Sequence, residues 1–92
     1  MHFVIIARDA RVAREKRPQV RPAHLAYFTP LYNEGIVVFA GPLTDGAGSL
    51  IVVKADSLSD AWQLMVRDPY VAHGIFEDIE IHPFTRTFPP ED

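Results

Sequence analysis

One stretch of this 92-residue chain reads Arg67-Asp68-Pro69-Tyr70-Val71-Ala72-His73-Gly74, and it decides where one helix ends and another begins. Pro69 cannot continue a helix and disfavours the helical conformation at Asp68, so a helix arriving from the N-terminal side must stop near Arg67. Asp68 can then cap a new short helical turn, with Pro69 as its first residue and Gly74 closing it. The stretch therefore predicts a carboxylate held at a helix end.

The carboxylate of Asp68 has two interpretations. It is either a helix cap that accepts hydrogen bonds from backbone amides alone, or a group that orients a histidine from elsewhere in the chain. The spacing of residues around Asp68 leaves both interpretations open, and the amino-acid composition does not identify a substrate.

Length and composition indicate a single globular domain over residues 1–92. Hydrophobic residues make up 48% and charged residues 23%, which is an ordinary globular balance. The chain has no cysteine, which excludes disulfides and thiolate metal sites and gives no sign of secretion. No apolar run approaches the length of a membrane span. We expect a cytoplasmic protein that does not bind a membrane.

The charge is unevenly distributed. The net charge is −3, yet segment 8–21 holds six basic and two acidic side chains, so the remainder of the chain is strongly acidic. An acidic body argues against binding to nucleic acid. The basic segment suits a small anionic ligand, although for most of its arginines a solvated charged loop is the simpler interpretation.

Hydrophobic periodicity and turn residues predict four strands and two main helices. The strands span residues 2–7, 36–40, 49–55 and 77–81, and the helices span about 22–34 and 57–67. Segment 8–21 is predicted to be a polar loop, and Gly41-Pro42 to end the second strand. Leu58, Ala61, Trp62 and Met65 form the predicted buried face of the second helix. Pro83 predicts a bulge or an edge position for the last strand.

This β-α-β-β-α-β order is typical of the ferredoxin-like fold of the α+β class, with a four-stranded antiparallel sheet and two helices on one face. Because successive elements alternate in direction, the start of helix one, the turn between strands two and three, and the end of helix two lie at one end. The topology therefore predicts that four sites converge there: His24, Gly41-Pro42, Ser49 and Asp68.

The sheet face opposite the helices is predicted to be apolar as well. Residues 36–40 and 50–53 are apolar on both sides of their strands. An exposed apolar face of this size is a liability for a monomer, so we expect a second subunit to cover it in a homodimer.

Several short motifs follow one another along the chain: Arg17…Arg21-Pro22-Ala23-His24-Leu25-Ala26-Tyr27, Gly35, Ala40-Gly41-Pro42-Leu43, Gly48-Ser49-Leu50 and Asp68-Pro69-Tyr70-Val71-Ala72-His73-Gly74. In these motifs the chain resembles the YciI-like (YCII-related domain) family over nearly its whole length. The resemblance implies a homodimer of the dimeric α/β-barrel type and a catalytic pair formed by His24 and Asp68. One branch of the family eliminates chloride from a chlorinated hydroxyquinol. The chain departs from the family pattern at Pro30 and His73, neither of which belongs to the pair.

The predicted pair suits general acid/base chemistry. A neutral imidazole is a general base near neutral pH, and a carboxylate bound to one ring nitrogen fixes its tautomer. Arg17 or Arg21 would neutralise an anionic or enolate-like group. The predicted substrate-binding residues are Arg17, Arg21, Gly41, Pro42, Ser49 and Tyr70. The most concrete enzyme hypothesis is proton abstraction with elimination, as in a lyase or dehydrochlorinase-like enzyme, from a small polar or anionic compound.

We expect neither a cofactor nor a metal ion, because the four histidines and scattered acids form no metal motif. A strand position for Ser49 argues against a nucleophile. The alternative to an enzyme is a non-catalytic domain that binds a small-molecule ligand and acts through a partner. An open pocket with His24 within hydrogen-bond reach of Asp68 favours the enzyme, whereas a pocket sealed by Tyr27, Tyr70 and Phe76 favours the alternative.

Overall fold

A computed structural model describes residues 1–90 and contains one four-stranded antiparallel sheet. The strands are β1 (His2–Asp9), β2 (Val37–Pro42), β3 (Gly48–Lys54) and β4 (Phe76–Phe84), and the helices are α1 (Ala13–Asn33), α2 (Leu58–Val66) and α3 (Pro69–Ala72). The sheet order β2-β3-β1-β4 is the ferredoxin-like arrangement that the order of elements predicts.

The prediction for Pro83, a bulge or an edge position, is confirmed in its second form. Pro83 lies in β4, which is an edge strand, where a missing backbone donor is tolerated. The irregularity in the pairing of β1 with β4 lies instead between Arg8 and Asp9. Gly41-Pro42 also differs from its prediction, because both residues belong to β2 and pair with Leu50 and Ser49.

The predicted loop at 8–21 is wrong. β1 continues to Asp9 and α1 begins at Ala13, so Pro18, Pro22 and Pro30 all lie inside one helix. An interior proline destabilises a helix by about 3 kcal/mol, because it removes a donor and crowds a carbonyl. All three prolines lie on the exposed side, where carbonyls without an intrahelical partner can bond to water. Tertiary packing of the opposite side stabilises the helix.

That opposite side begins with Ala13 and Val20, which are buried in a small cluster with Tyr70 and Ile75. Arg17 lies between them at helical spacing. Because an arginine interrupts the apolar stripe, the sequence pattern does not resemble an amphipathic helix.

The main core lies between the sheet and the helices. Phe3 and Ile5 of β1 pair with Val53 and Ile51 of β3, and all four side chains pack against the helices. α2 contributes Ala61 and Met65, as predicted, whereas Leu58 is 44% and Trp62 37% exposed. A nine-residue helix meets the sheet along one narrow line, so the residues that flank this line remain accessible.

The opposite face of the sheet is apolar along β1 and β3, whereas β4 places Glu80 and His82 beside Ile6 and Val4. Because side chains alternate along a strand, Val4 and Ile6 of β1 share this face with Val52 and Leu50 of β3. In residues 1–90 all helix contacts to the buried core are made on the other face. None of the three helices in this part of the chain combines the length and the apolar character needed to cross a lipid bilayer.

Candidate functional site

His24 and Asp68 form a hydrogen-bonded pair. Nδ1 of His24 lies 2.8 Å from Oδ1 of Asp68, and the same oxygen accepts the backbone N–H of Tyr70 at 3.0 Å. Asp68 is therefore both the N-cap of α3 and the hydrogen-bond partner of His24, so it does not serve backbone amides alone. Because a carboxylate only accepts, a neutral His24 carries its proton on Nδ1 and keeps a lone pair on Nε2.

Asp68 is completely buried, whereas the His24 side chain is 14% exposed. The second carboxylate oxygen, Oδ2, is buried without a hydrogen-bond partner among the described residues. One oxygen thus makes both contacts, which fixes the orientation of the carboxylate. A buried carboxylate interacts favourably with a positive charge at its side, so this geometry stabilises an imidazolium at His24 when the ring takes a proton.

Two aromatic rings hold the imidazole of His24. The ring of Tyr70 is stacked on it at 3.9 Å between centroids and 7° between planes, and the Phe28 ring lies 4.4 Å away at 41°. Together with the bond to Asp68, these contacts leave the ring little freedom to rotate. His24 lies in the middle of α1 and not at its start, because the helix begins well before the predicted position.

A cavity of about 530 Å³ lies beside His24. This volume falls in the range of about 300–1,000 Å³ that small-molecule sites occupy. It is lined by His24 and by all of the predicted substrate-binding residues: Arg17, Arg21, Gly41, Pro42, Ser49 and Tyr70. Asp68 does not line it and lies behind His24. The cavity opens to solvent, since Leu25, Tyr32 and Phe39 of its lining are exposed.

Arg17, Arg21 and His24 reach the cavity from one side of α1, at helical spacing. Gly41 and Pro42 reach it from the edge strand β2. A Cβ atom added at Gly41 would meet no atom within 4 Å. The glycine is therefore not required by packing within the chain.

Arg17 is not the free cation that the sequence suggests. Its Nη2 and Nε donate to the two carboxylate oxygens of Asp9 at 2.7 and 3.1 Å, and Nη2 also donates to Oγ of Ser49 at 3.0 Å. Asp9 compensates the charge of the guanidinium. The sequence gives no sign of this role of Asp9, because nothing in the local pattern links the end of β1 to a residue of α1.

Arg21, by contrast, is exposed, and no carboxylate in residues 1–90 pairs with it. It therefore offers an uncompensated positive charge at the cavity. No three histidine, aspartate or glutamate side chains cluster as metal ligands in this part of the chain.

Tyr27 lies outside the cavity lining and links α1 to α2. Its hydroxyl donates to the carbonyl of Leu64 at 2.8 Å. Burial raises the pKa of Tyr27; Arg67 lowers it and Asp68 raises it by smaller amounts. Phe76 is likewise absent from the lining, so Tyr27, Tyr70 and Phe76 do not form the seal that would favour a non-catalytic domain.

Comparison with known proteins identifies relatives over nearly the whole chain. The sequence profile of the YCII-related domain matches residues 1–85. Protein YciI of Escherichia coli O6:H1 is 39% identical, and the alignment covers 96% of this chain and all of the relative. An uncharacterised protein of Haemophilus influenzae is 33% identical with the same coverage.

Among solved structures, similarity extends to 5-chloro-2-hydroxyhydroquinone dehydrochlorinase (TftG) from Burkholderia phenoliruptrix AC1100, in complex with 2,5-dihydroxybenzoquinone. The TM-score is 0.85 with 23% identity, over 99% of this chain and 100% of that one. This likeness supports the shared fold. From the sequence profile and the relatives, this chain belongs to the YCII-related domain (YciI-like) family.

Proposed function

We propose that this protein is a small-molecule enzyme in which His24 and Asp68 carry out general acid/base chemistry. The reaction is proton abstraction coupled to elimination, and the substrate is a small polar or anionic ring compound. The observation that carries the proposal is the 2.8 Å bond between Nδ1 of His24 and buried Asp68, beside a cavity of about 530 Å³. Because this bond uses Nδ1, Nε2 of His24 is the basic nitrogen that is available to a substrate.

In this reaction Nε2 of His24 removes a proton from a ring hydroxyl group. The ring carbon that bears the leaving substituent, such as chloride, takes up a proton in turn, which gives the keto tautomer. Loss of a second hydroxyl proton then expels chloride from that tetrahedral carbon and leaves a quinone. The balance is the loss of one proton and one chloride ion, so no external oxidant is needed. Asp68 favours the imidazolium that forms, because an opposite charge at hydrogen-bonding distance stabilises the protonated ring.

Two observations support an enzyme over a domain that only binds a ligand. The histidine ring is fixed by one hydrogen bond and two aromatic contacts, as a catalytic base requires. The cavity is open at its rim, so substrate can enter and product can leave. The similarity in fold to TftG supports the choice of elimination among acid/base reactions.

We also propose that the protein is a homodimer of the dimeric α/β-barrel type. The partly exposed side chains of Val4, Ile6 and Leu50 on this sheet face support the proposal, because a second copy of the sheet would remove them from water. A chain without cysteine suits the reducing cytoplasm, where we propose that the dimer acts.

The test is release of chloride from 5-chloro-2-hydroxyhydroquinone. We expect His24→Gln to slow the reaction of the wild-type protein by about 10²–10⁴-fold, the usual contribution of a positioned general base. His73→Gln is the matched control, because His73 is exposed and does not line the cavity. A folded wild-type protein that binds 2,5-dihydroxybenzoquinone but releases no chloride would refute the elimination.

A further inference from the structure

We propose that the hydroxyl groups of Ser49 and Tyr70 form an oxyanion-binding pair, which Arg17 and Asp9 position. The inference rests on the proposed function and names what the site holds: the negative oxygen of a planar ring, as in a phenolate or enolate. Neither hydroxyl acts as a nucleophile, and no covalent bond to the protein forms.

Ser49 has a hydroxyl proton to donate. The residue is only 7% exposed, lines the cavity, and accepts a hydrogen bond from Nη2 of Arg17 at 3.0 Å. A serine oxygen that accepts from a guanidinium still carries one proton. No group in residues 1–90 accepts that proton. The cavity is where an acceptor for it can bind.

Tyr70 is the second donor. Its side chain is 4% exposed and lines the same cavity, while its ring is stacked on His24. Within the described part of the chain the hydroxyl of Tyr70 makes no hydrogen bond. The hydroxyl oxygen itself stays accessible, so water can accept its proton until a ligand takes that place. A ligand oxygen in the cavity would accept that proton beside the base.

Arg17 connects the two donors. Its guanidinium carbon lies 5.1 Å from the centroid of the Tyr70 ring, and its Nη2 bonds to Ser49. Asp9 holds the guanidinium by two hydrogen bonds, so Arg17 has a fixed geometry and a compensated charge. Arg17 is therefore a positioning residue. An N–H of Arg17 occupies one lone pair of Ser49 Oγ, so the hydroxyl proton of Ser49 points away from Arg17.

The chemistry agrees with the proposed reaction. When His24 removes a proton, negative charge appears on the substrate oxygen. Hydrogen-bond donors already aimed at that oxygen stabilise the charge without rearranging, and bonds to an ionised acceptor are the stronger kind. Arg21 at the cavity adds a longer-range attraction for the same anion.

The test compares two quinone probes of similar shape. The hydroxyl groups of 2,5-dihydroxybenzoquinone are vinylogous carboxylic acids and ionise at neutral pH, whereas 2,5-dimethoxybenzoquinone cannot ionise. Dissociation constants from absorbance titration should show that the wild-type protein prefers the anion. We expect Ser49→Ala and Tyr70→Phe each to weaken binding of the anion about tenfold, as loss of one hydrogen bond to a charged group predicts. Binding of the neutral probe should change by less than about twofold, since that probe lacks the charge.

Arg17→Lys tests the positioning role. Lysine keeps the charge but lacks the planar fork that bonds to Asp9 and Ser49 together. We expect Arg17→Lys to lose the preference for the anionic probe, as Ser49→Ala is expected to, and still to bind the neutral probe. A retained preference would mean that Arg17 acts by charge alone, and the positioning role would be overturned. Ser59→Ala, an exposed serine of α2, is the matched control and should change neither constant.

The outcomes separate this inference from the proposed function. Equal binding of both probes by the wild-type protein, or an unchanged preference in folded Ser49→Ala and Tyr70→Phe, overturns the oxyanion pair. His24→Gln should keep the preference and lose chloride release. The wild-type protein could instead release no chloride while its preference for the anionic probe still depends on Ser49 and Tyr70. That result would refute the elimination and support the oxyanion-binding pair. If Ser49→Ala does not fold, Ser49→Cys can replace it. The thiol is a weaker hydrogen-bond donor, so this variant should also bind the anionic probe more weakly.

Discussion

The substitution Asp68→Asn separates the charge of this residue from its hydrogen bonds. Both donors that reach Asp68, the N–H of Tyr70 and Nδ1–H of His24, point at Oδ1, and Oδ2 is buried without a partner among the described residues. The amide oxygen of asparagine will therefore occupy the position of Oδ1, and its NH₂ group the position of Oδ2. The helix cap and the histidine tautomer are both retained, while the negative charge is lost.

The expected loss of activity follows from that geometry. Hydrogen bonds to charged groups contribute about 1.5–3 kcal/mol and neutral ones about 0.5–1.5 kcal/mol, so removing the charge weakens the bond to a protonated His24 by about 1–1.5 kcal/mol. The rate should fall by about fivefold to thirteenfold, since 1.36 kcal/mol corresponds to a factor of ten. This is less than an altered tautomer would cause, because Nε2 keeps its lone pair.

The folded state should change little. The buried NH₂ group lacks an acceptor, which costs about 1–3 kcal/mol, but the variant no longer buries a charge, and the two effects oppose each other. Asp68→Ala is the contrasting variant. It leaves the N–H of Tyr70 and Nδ1–H of His24 without acceptors, so we expect it to unfold at a clearly lower temperature.

The assay combines chloride release from 5-chloro-2-hydroxyhydroquinone with nitrogen NMR of the His24 ring. We expect the variant to show the proton on Nδ1, as in the wild-type protein, together with the slower rate. A ring protonated on Nε2 would show that the asparagine has flipped, which would refute the reasoning about Oδ1. A wild-type rate with the proton on Nδ1 would show that the negative charge of Asp68 does not contribute to catalysis.

Three further predictions concern the fold and the assembly. Light scattering should give about twice the 10.4 kDa mass of one chain, and a monomer at micromolar concentration would contradict the proposed cover of the sheet. Gly48→Ala should lower the unfolding temperature sharply, because φ is +153° and a Cβ would overlap the carbonyl of Ala7. Gly46→Ala, where φ is +83° in open space, should be milder, at about 1–2 kcal/mol. Because the pKa of Tyr27 is raised by burial, its stabilisation is present below pH 10 and lost as pH rises towards the higher folded pKa. In denaturation at alkaline pH, Tyr27→Phe should therefore lose less stability than the wild-type protein.

Local signals in the sequence predicted much of the fold. Asp68 before Pro69 predicted the start of α3, and Ser57 caps α2 by accepting the N–H of Asp60. Such caps depend only on near neighbours in the chain, so a single sequence reveals them. The apolar residues 36–40 and 50–53 likewise predicted that both faces of the sheet carry apolar side chains.

Other features depended on contacts between distant segments. The first half of α1 was missed because its buried side carries Arg17, whose partner Asp9 belongs to another element. The same contact changes the interpretation of the site, since a basic residue that sequence reasoning counts as free is compensated in the fold. A single sequence places His24 and Asp68 at one end of the domain, but not at 2.8 Å.

The central position of β1 has a consequence for synthesis on the ribosome. β1 is the first strand to be made, yet it pairs on one side with β3 and on the other with β4, where His2 lies opposite Phe84. Its second edge therefore stays unpaired until almost the whole domain has left the exit tunnel. Unpaired apolar edges promote aggregation, and long-range strand pairing is slow. We therefore expect nascent chains that lack β4 to require a chaperone, even though the finished domain is small.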